Sequence, residues 1–227
     1  MNHFIVSASL SSFFSLLAAA VMWMLAPSSK AHKVAAVYWF SISFWAFFVG
    51  SQVHTIQRLS PFWWGWFLHL GCTFIPVLMF HFAVVFTGQK SQAVRLGLMA
   101  GYVITVAFNL LNLWTNVFTS DTVYRDAYAY PKPALLYPAY FVLFVALVAW
   151  GTILLIRHLP ALSEAKRSAL KLFLVTHVLA YTGGMDNFLI MADIRIPPLY
   201  PFGLYLIPPY ALAAIYVASW HRLLQTA

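Results

Sequence analysis

The sequence predicts an all-α integral membrane protein, a bundle of seven transmembrane helices with the N-terminus outside and the C-terminus cytoplasmic. Three observations carry this. Seven apolar stretches reach the length that a bilayer-crossing helix needs, about 20 residues. Hydrophobic residues make up 63% of the chain and charged residues 8%, where a soluble domain has roughly a quarter charged. The basic residues lie near the connections between stretches and are shared unequally between the two sides.

The spans fall at 4–26, 34–53, 62–86, 96–114, 136–156, 170–192 and 202–220, so that residues 1–227 read as a single seven-helix domain with no soluble output domain. The start, Met1-Asn2-His3-Phe4, lacks a basic n-region, and the run after it is longer than a signal-peptide core. It is expected to remain as the first span. The breaks carry turn or charge signals: Pro27-Ser28-Ser29-Lys30, Gln57-Arg58-Leu59-Ser60-Pro61, Gly88-Gln89-Lys90-Ser91, Pro131-Lys132-Pro133, and the segment from Arg157 to Arg167. The connection 115–135 holds Asp121, Tyr124, Arg125, Asp126, Tyr128 and Tyr130, and reads as a lid, a short hairpin or a solvated connector.

Orientation follows from charge. Lys30, Lys33, Lys90, Arg95, Arg157, Lys166, Arg167, Lys171 and Arg222 fall on one side; Arg58, Arg125, Lys132 and Arg195 fall on the other. The richer side is expected to be cytoplasmic. Trp63, Trp64, Trp66 and Trp114 then lie at outer helix ends, where amphipathic rings favour the headgroup level. The net charge of +8 belongs to these connections, and no Lys/Arg block marks a nucleic-acid surface. With Cys72 as the one cysteine, no intrachain disulfide can form.

Polar residues inside the spans are the candidates for function. Asp186 is the carboxylate that falls well inside an apolar run, and such a group faces protein or water by default. Counted along the helices, Gln52, His69, Asn109, Asp186, Asn187, Tyr205 and Tyr210 all fall within roughly three turns of the outer surface. Together with Gly183, four residues before Asn187 on the same helix face, they outline an outward-facing pocket for a small molecule. The plainer reading is that these groups bond one another and hold the bundle together.

A second pair, His81 and His177, lies nearer the cytoplasmic side. Two histidines on different spans can ligate a haem iron. No cysteine or carboxylate completes a metal site there, and bonding to a neighbour is the plainer reading. His177 and Asp186, nine residues apart on one helix, are expected on opposite faces. No cofactor is called for. No span carries a deep lysine for a Schiff base, and no His-Glu-x-x-His, phosphate-binding glycine loop or serine elbow occurs. The doublet Pro208-Pro209 is expected to kink or loosen the seventh span in its middle. It has no counterpart in the first half, as the paired broken helices of a transporter would require.

Two stretches carry a resemblance. One runs from Pro61-Phe62-Trp63-Trp64 through Phe74-Ile75-Pro76-Val77-Leu78 to Phe86-Thr87-Gly88. The other is Gly183-Gly184-Met185-Asp186-Asn187-Phe188-Leu189 followed by Ile194-Arg195-Ile196-Pro197-Pro198-Leu199-Tyr200-Pro201-Phe202-Gly203, with the exit Ala218-Ser219-Trp220-His221-Arg222. In these the chain resembles the N-terminal 7TM sensor region of bacterial histidine kinases. The resemblance implies a multi-pass receptor region of the bacterial inner membrane, surrounded by lipid and working as a homodimer. It is expected to be no enzyme itself, since the kinase domain is absent from these residues. It would bind a small, lipophilic ligand and pass the signal to a cytoplasmic kinase-type output domain in cis or trans. Pro208, Pro209, Trp220 and Arg222 are the expected relay. The alternatives left open are a b-type haem protein using His81 and His177, and a small transporter.

Overall fold

The computed structural model of the chain describes residues 3–25, 28–55, 61–125 and 128–221, with side-chain placement for all of these except 52–55, 61–62, 122–125, 128–130 and 220–221. Its long helices are α1 (His3–Leu25), α2 (Lys30–Thr55), α3 (Pro61–Thr87), α4 (Gln92–Trp114), α5 (Tyr137–His158), α6 (Glu164–Gly184) and α9 (Ile207–His221). Two short ones, α7 (Asp186–Met191) and α8 (Leu199–Phe202), lie between α6 and α9. Among the described residues, six helical stretches are long and apolar enough to cross a membrane: His3–Leu25, Lys30–Ser51, Trp63–Thr87, Gln92–Trp114, Tyr137–Ala161 and Leu199–Ser219. The seventh is α6 with α7. It starts earlier than the apolar pattern indicates, so Glu164, Lys166, Arg167 and Lys171 form its first turns.

The most enclosed span is α3. It packs against α2 on one side and against α5 and α4 on the other, while α1 lies across α2 and α9, and α6 lies against α9. Small residues set the closest crossings. At Gly71 an added Cβ would meet the backbone of Trp45, so α2 and α3 approach with no side chain between them. By contrast α4 is peripheral, and Leu96, Met99, Val103, Val106 and Leu110 along it are exposed, as lipid-facing residues are.

Local chemistry fixes the helix ends. Gly88 takes φ +65° after α3, which lets its N–H reach Val85 O at 3.3 Å and that of Gln89 reach Val84 O at 3.1 Å. Ser91 caps α4, its Oγ accepting from the Val94 N–H at 3.4 Å. The turn between α5 and α6 is closed by Arg167, which donates to the carbonyls of Leu159 at 3.1 Å, Pro160 at 3.3 Å and Leu162 at 3.2 Å. A basic residue thereby satisfies carbonyls that the end of α5 leaves open.

The connection 115–135 contains a hairpin. Strands β1 (Thr119–Arg125) and β2 (Tyr128–Pro133) pair antiparallel, with Val123 opposite Tyr130 and Arg125 opposite Tyr128. Phe118, just before β1, is fully buried against His69, Phe108, Tyr137 and Tyr140. Pro131 of β2 rests over Gly65 of α3. The hairpin therefore caps one end of the bundle, plugged in by one aromatic ring.

Two expectations are corrected in the last spans. The sixth is not one continuous helix: its hydrogen-bond ladder is interrupted at Met185, between α6 and α7. In the seventh, Pro208 and Pro209 do not kink the middle. They occupy the first turn of α9, after a 3-10 turn at Gly203–Leu206, where the missing N–H groups would have no intrahelical partner in any case. The irregular backbone lies before the prolines, and there Gly183 of α6 meets Gly203. A Cβ on either glycine would overlap the other's backbone.

That contact yields a paired test. Gly183→Ala is expected to lower stability by about 1–3 kcal/mol, the range for overpacking. Gly184→Ala, where a Cβ meets nothing within 4 Å, is expected to be neutral or slightly stabilising, since Ala favours helix over Gly. Equal thermal midpoints for the two variants would contradict the close approach.

Candidate functional site

The interruption at Met185 has a local origin. Two successive glycines, Gly183 and Gly184, end α6, and glycine is the weakest helix former after proline. The Met185 N–H still reaches Tyr181 O at 3.0 Å, and Phe188 N–H begins the next ladder on Met185 O at 3.0 Å. Met185 itself keeps helical angles, φ −59° and ψ −24°. The axis therefore loosens rather than turns. The Asn187 side chain reaches back, its Nδ2 donating to Gly184 O at 3.4 Å.

Beside this interruption lies a small cavity of about 50 Å³, partly open to its surroundings. Five spans contribute walls, with Trp45 from α2, Cys72 from α3, Phe144 from α5, Tyr181, Gly184 and Phe188 from α6 and α7, and Tyr210 from α9. An adjoining cavity of about 20 Å³ shares Trp45, Cys72 and Phe188 and adds Tyr137, Asn187 and Met191. The walls are almost wholly apolar and aromatic, the composition of small-molecule sites between helices.

A chain of hydrogen bonds borders the first cavity. Tyr38 OH lies 3.1 Å from Tyr181 OH and 3.1 Å from Tyr210 OH. Tyr210 OH lies 3.1 Å from His177 Nδ1, and His177 Nε2 lies 3.0 Å from Thr152 Oγ1. Thr152 donates its one hydroxyl proton to Val148 O at 2.7 Å, so it can only accept from His177 Nε2–H. In a neutral imidazole Nδ1 is then the acceptor, and it takes the proton of Tyr210. Tyr210 in turn accepts from Tyr38, and Tyr38 from Tyr181. The donors run one way, from Tyr181 through Tyr38, Tyr210, His177 and Thr152 to a backbone carbonyl, and tie α6, α2, α9 and α5 together.

The polar residues singled out from the sequence are divided among several places. Asp186 is 1% exposed, and neither carboxylate oxygen has a hydrogen-bond partner. Asn187 is 8% exposed and its Oδ1 is likewise unpartnered. His69 is fully buried with Nδ1 on Gly65 O at 2.8 Å and Nε2 unpartnered, its ring between those of Phe118 and Tyr137. No hydrogen bond joins it to Asp186. Asn109 belongs elsewhere. Its Nδ2 donates to Thr73 Oγ1 at 2.6 Å and to Thr105 O at 2.9 Å, stitching α4 to α3. Tyr205 lies 3.4 Å from His3 at the start of α1. Tyr210 belongs to the chain with His177, although counting along the helices had separated the two. Gly183 makes room for the Gly203 backbone and not for a ligand. The Gln52 and Trp220 side chains and all of Arg222 lie outside the described residues.

The two histidines considered for haem have separate partners. His81 Nδ1 lies 2.7 Å from Tyr102 OH, while His177 uses both ring nitrogens in the chain above. Among the described residues no group of three His, Cys, Asp or Glu side chains could hold a metal ion.

Tyr38, Tyr181 and Thr152 were not singled out from the sequence. One signal was available: Tyr181 lies four residues after His177, on the same helix face. Nothing in the sequence joins them to Tyr38, 143 residues away.

A family model described as the N-terminal 7TM region of histidine kinase matches residues 7–226. Comparison with curated proteins finds no match.

The direction of the chain is testable. Tyr38→Phe removes the middle hydroxyl and leaves both neighbours short of a partner, an expected loss of about 1–3 kcal/mol. Tyr181→Phe removes only the first donor and is expected to destabilise less. The reverse order in denaturation midpoints would overturn the assigned direction. Asp186→Asn, which replaces an unpaired buried carboxylate with a neutral group of the same shape, is expected to raise the thermal midpoint.

Proposed function

The chain belongs to the family of the N-terminal 7TM region of histidine kinase, and from that premise we propose that it senses a small, lipophilic molecule in the cavity beside the interrupted sixth span. The family makes it a multi-pass membrane region with a sensing role and links it to a cytoplasmic kinase output. The finer reading rests on one observation. The cavity lies where α6 loosens into α7, and its walls come from five spans, so an occupant touches α6, α7 and α9 at once.

The coupling route follows. α6 is joined to α9 twice, by the glycine contact at Gly183 and Gly203 and by the bond from Tyr210 to His177. A ligand that fits one arrangement of α7 against α9 better than another shifts the balance between them by that difference in affinity. The shift travels down α9, whose last described residue is His221. Pro208 and Pro209 begin that helix and fix the geometry of its first turn. Trp220 and Arg222 would carry the motion onward to a kinase domain in cis or trans. The excess of Lys and Arg beside the starts of α2, α4 and α6 supports a cytoplasmic placement for that end. The reading includes the bacterial inner membrane as the setting, lipid around the bundle, and a homodimer.

Gly184 provides the test. It lines the cavity, and a side chain there meets no neighbouring atom within 4 Å of the Cβ. Gly184→Val therefore fills space without straining the backbone contact at Gly183. Mass spectrometry of the gently purified wild-type protein is expected to release one small organic molecule in stoichiometric amount, and Gly184→Val is expected to release little of it. Recovery of bulk lipid alone from both would remove the cavity as a sensing site.

A further inference from the structure

Helices α1 and α2 pack closely along a line of small residues. An added Cβ at Gly50 would stand 3.2 Å from the Ala8 Cβ. Further along, Ser12 Oγ donates to Ser43 O at 3.0 Å and Ser43 Oγ donates to Ser12 O at 2.8 Å. Beside that line the side chains stay small, with Ser9 and Ser12 on α1 and Ala46 and Gly50 on α2, while Phe13 and Phe47 stand up as exposed walls. The result is a groove of about 390 Å³, within the range of roughly 300–1,000 Å³ that small-molecule sites occupy. It lies on a different face of α2 from Trp45 and is separate from the cavity beside α6.

The hydroxyls of the groove are committed to the protein with one exception. Ser12 is bonded to Ser43, and Ser51 Oγ donates to Phe47 O. Ser9 is exposed in the groove, its Oγ 3.7 Å from where a Cβ on Gly50 would stand, and it makes no hydrogen bond among the described residues. A hydroxyl left without an acceptor in hydrocarbon is unfavourable. Ser9 follows the first residue of α1, His3, by about 9 Å along the axis. That is a shallow level in a hydrocarbon core roughly 30 Å thick. A phospholipid offers acceptors near that level, the ester carbonyls that head its chains, and none further down.

The groove is also short. Leu16 and Leu17 continue the same face of α1, and Phe40 continues that of α2. All three are large and exposed, so a helix about 10 Å across would be held off the groove floor. A single hydrocarbon chain is narrow enough to lie between Phe13 and Phe47.

We propose that the groove binds one acyl chain of a membrane ester lipid, the chain lying between Phe13 and Phe47 and its ester carbonyl accepting the Ser9 hydroxyl proton. This bound lipid is a fixed part of the bundle, distinct from the fluid lipid around it. The helix it rests on also holds the turn before α9, because Ser11 Oγ donates to Leu204 O at 2.9 Å. The lipid thereby steadies α1 where α1 grips the last span.

The whole chain in nanodiscs made of equal parts of a diester phosphatidylcholine and its diether analogue, with chains of the same length, tests this. Native mass spectrometry then counts and identifies the lipid retained when the protein is released. The expected result is one retained lipid per chain, with the diester favoured about fivefold, the factor that one neutral hydrogen bond supplies. Ser9→Ala keeps the groove and is expected to bring the ratio back to that of the bilayer. Ser9→Phe, whose ring fills the groove from an exposed position, is expected to retain no lipid while melting as the wild type does. Equal retention of the two lipids by the wild type would overturn the carbonyl contact. A diester preference that survives Ser9→Ala, or a lipid retained by Ser9→Phe, would overturn the placement. A wild-type protein that carries no lipid would remove the site, and a dimer that Ser9→Phe dissociates would give the groove to a second copy of the chain.

Discussion

The arrangement depends on the contact of two glycine backbones. Gly183 of α6 and Gly203 of the turn before α9 come so close that no side chain fits between them. In lipid the apolar solvent gives helices little reason to associate, and close packing at small residues supplies it. The ladder of α6 loosens two residues later, at Met185, and the cavity lies beside that break, lined by Met185 and Phe188 and by Ile207 and Tyr210 of α9.

The same constraint determines where polar groups can go. In hydrocarbon a buried hydroxyl or ring nitrogen left without a partner inside the protein is costly. The pinned pair α6 and α9 brings His177 against Tyr210, and the rest of the chain is the completion of that one bond. Tyr38 supplies the next donor from α2, and Thr152 the last acceptor from α5. A network in which each hydroxyl after Tyr181 donates once and accepts once leaves little freedom to rearrange in part. It ties the four helices it joins into one unit.

Much of the architecture was legible in the sequence. Membrane-length apolar runs, low charge and basic connections are properties of composition and spacing, and they led to a seven-helix membrane bundle without knowledge of any contact. Asp186 also stood out, since an ionisable residue inside an apolar run is visible on inspection. The grouping of polar residues by depth was less reliable, because depth says nothing of the face on which a residue lies. Asn109 and Tyr205 matched Asp186 in depth, yet one stitches α4 to α3 and the other meets His3. Tyr210 and His177 were counted to different levels and are 3.1 Å apart. The count assumed straight, continuous helices, and both spans are interrupted.

By itself, the sequence determined what depends on residue type along the chain: how many stretches suit a membrane, which side of the bundle is basic, and where an unusual carboxylate lies. The tertiary structure alone decided which helices touch and at what rotation. That outcome depends on pairs distant in sequence, such as Gly183 with Gly203 and Tyr38 with Tyr181. A glycine doublet and a proline doublet in the sequence both signal a break. Only the packing shows that the glycines bring backbones together and loosen the sixth span, while the prolines begin a regular helix. The physical reason is that a local sequence fixes conformational preference, whereas the partner that exploits it is chosen by the whole fold.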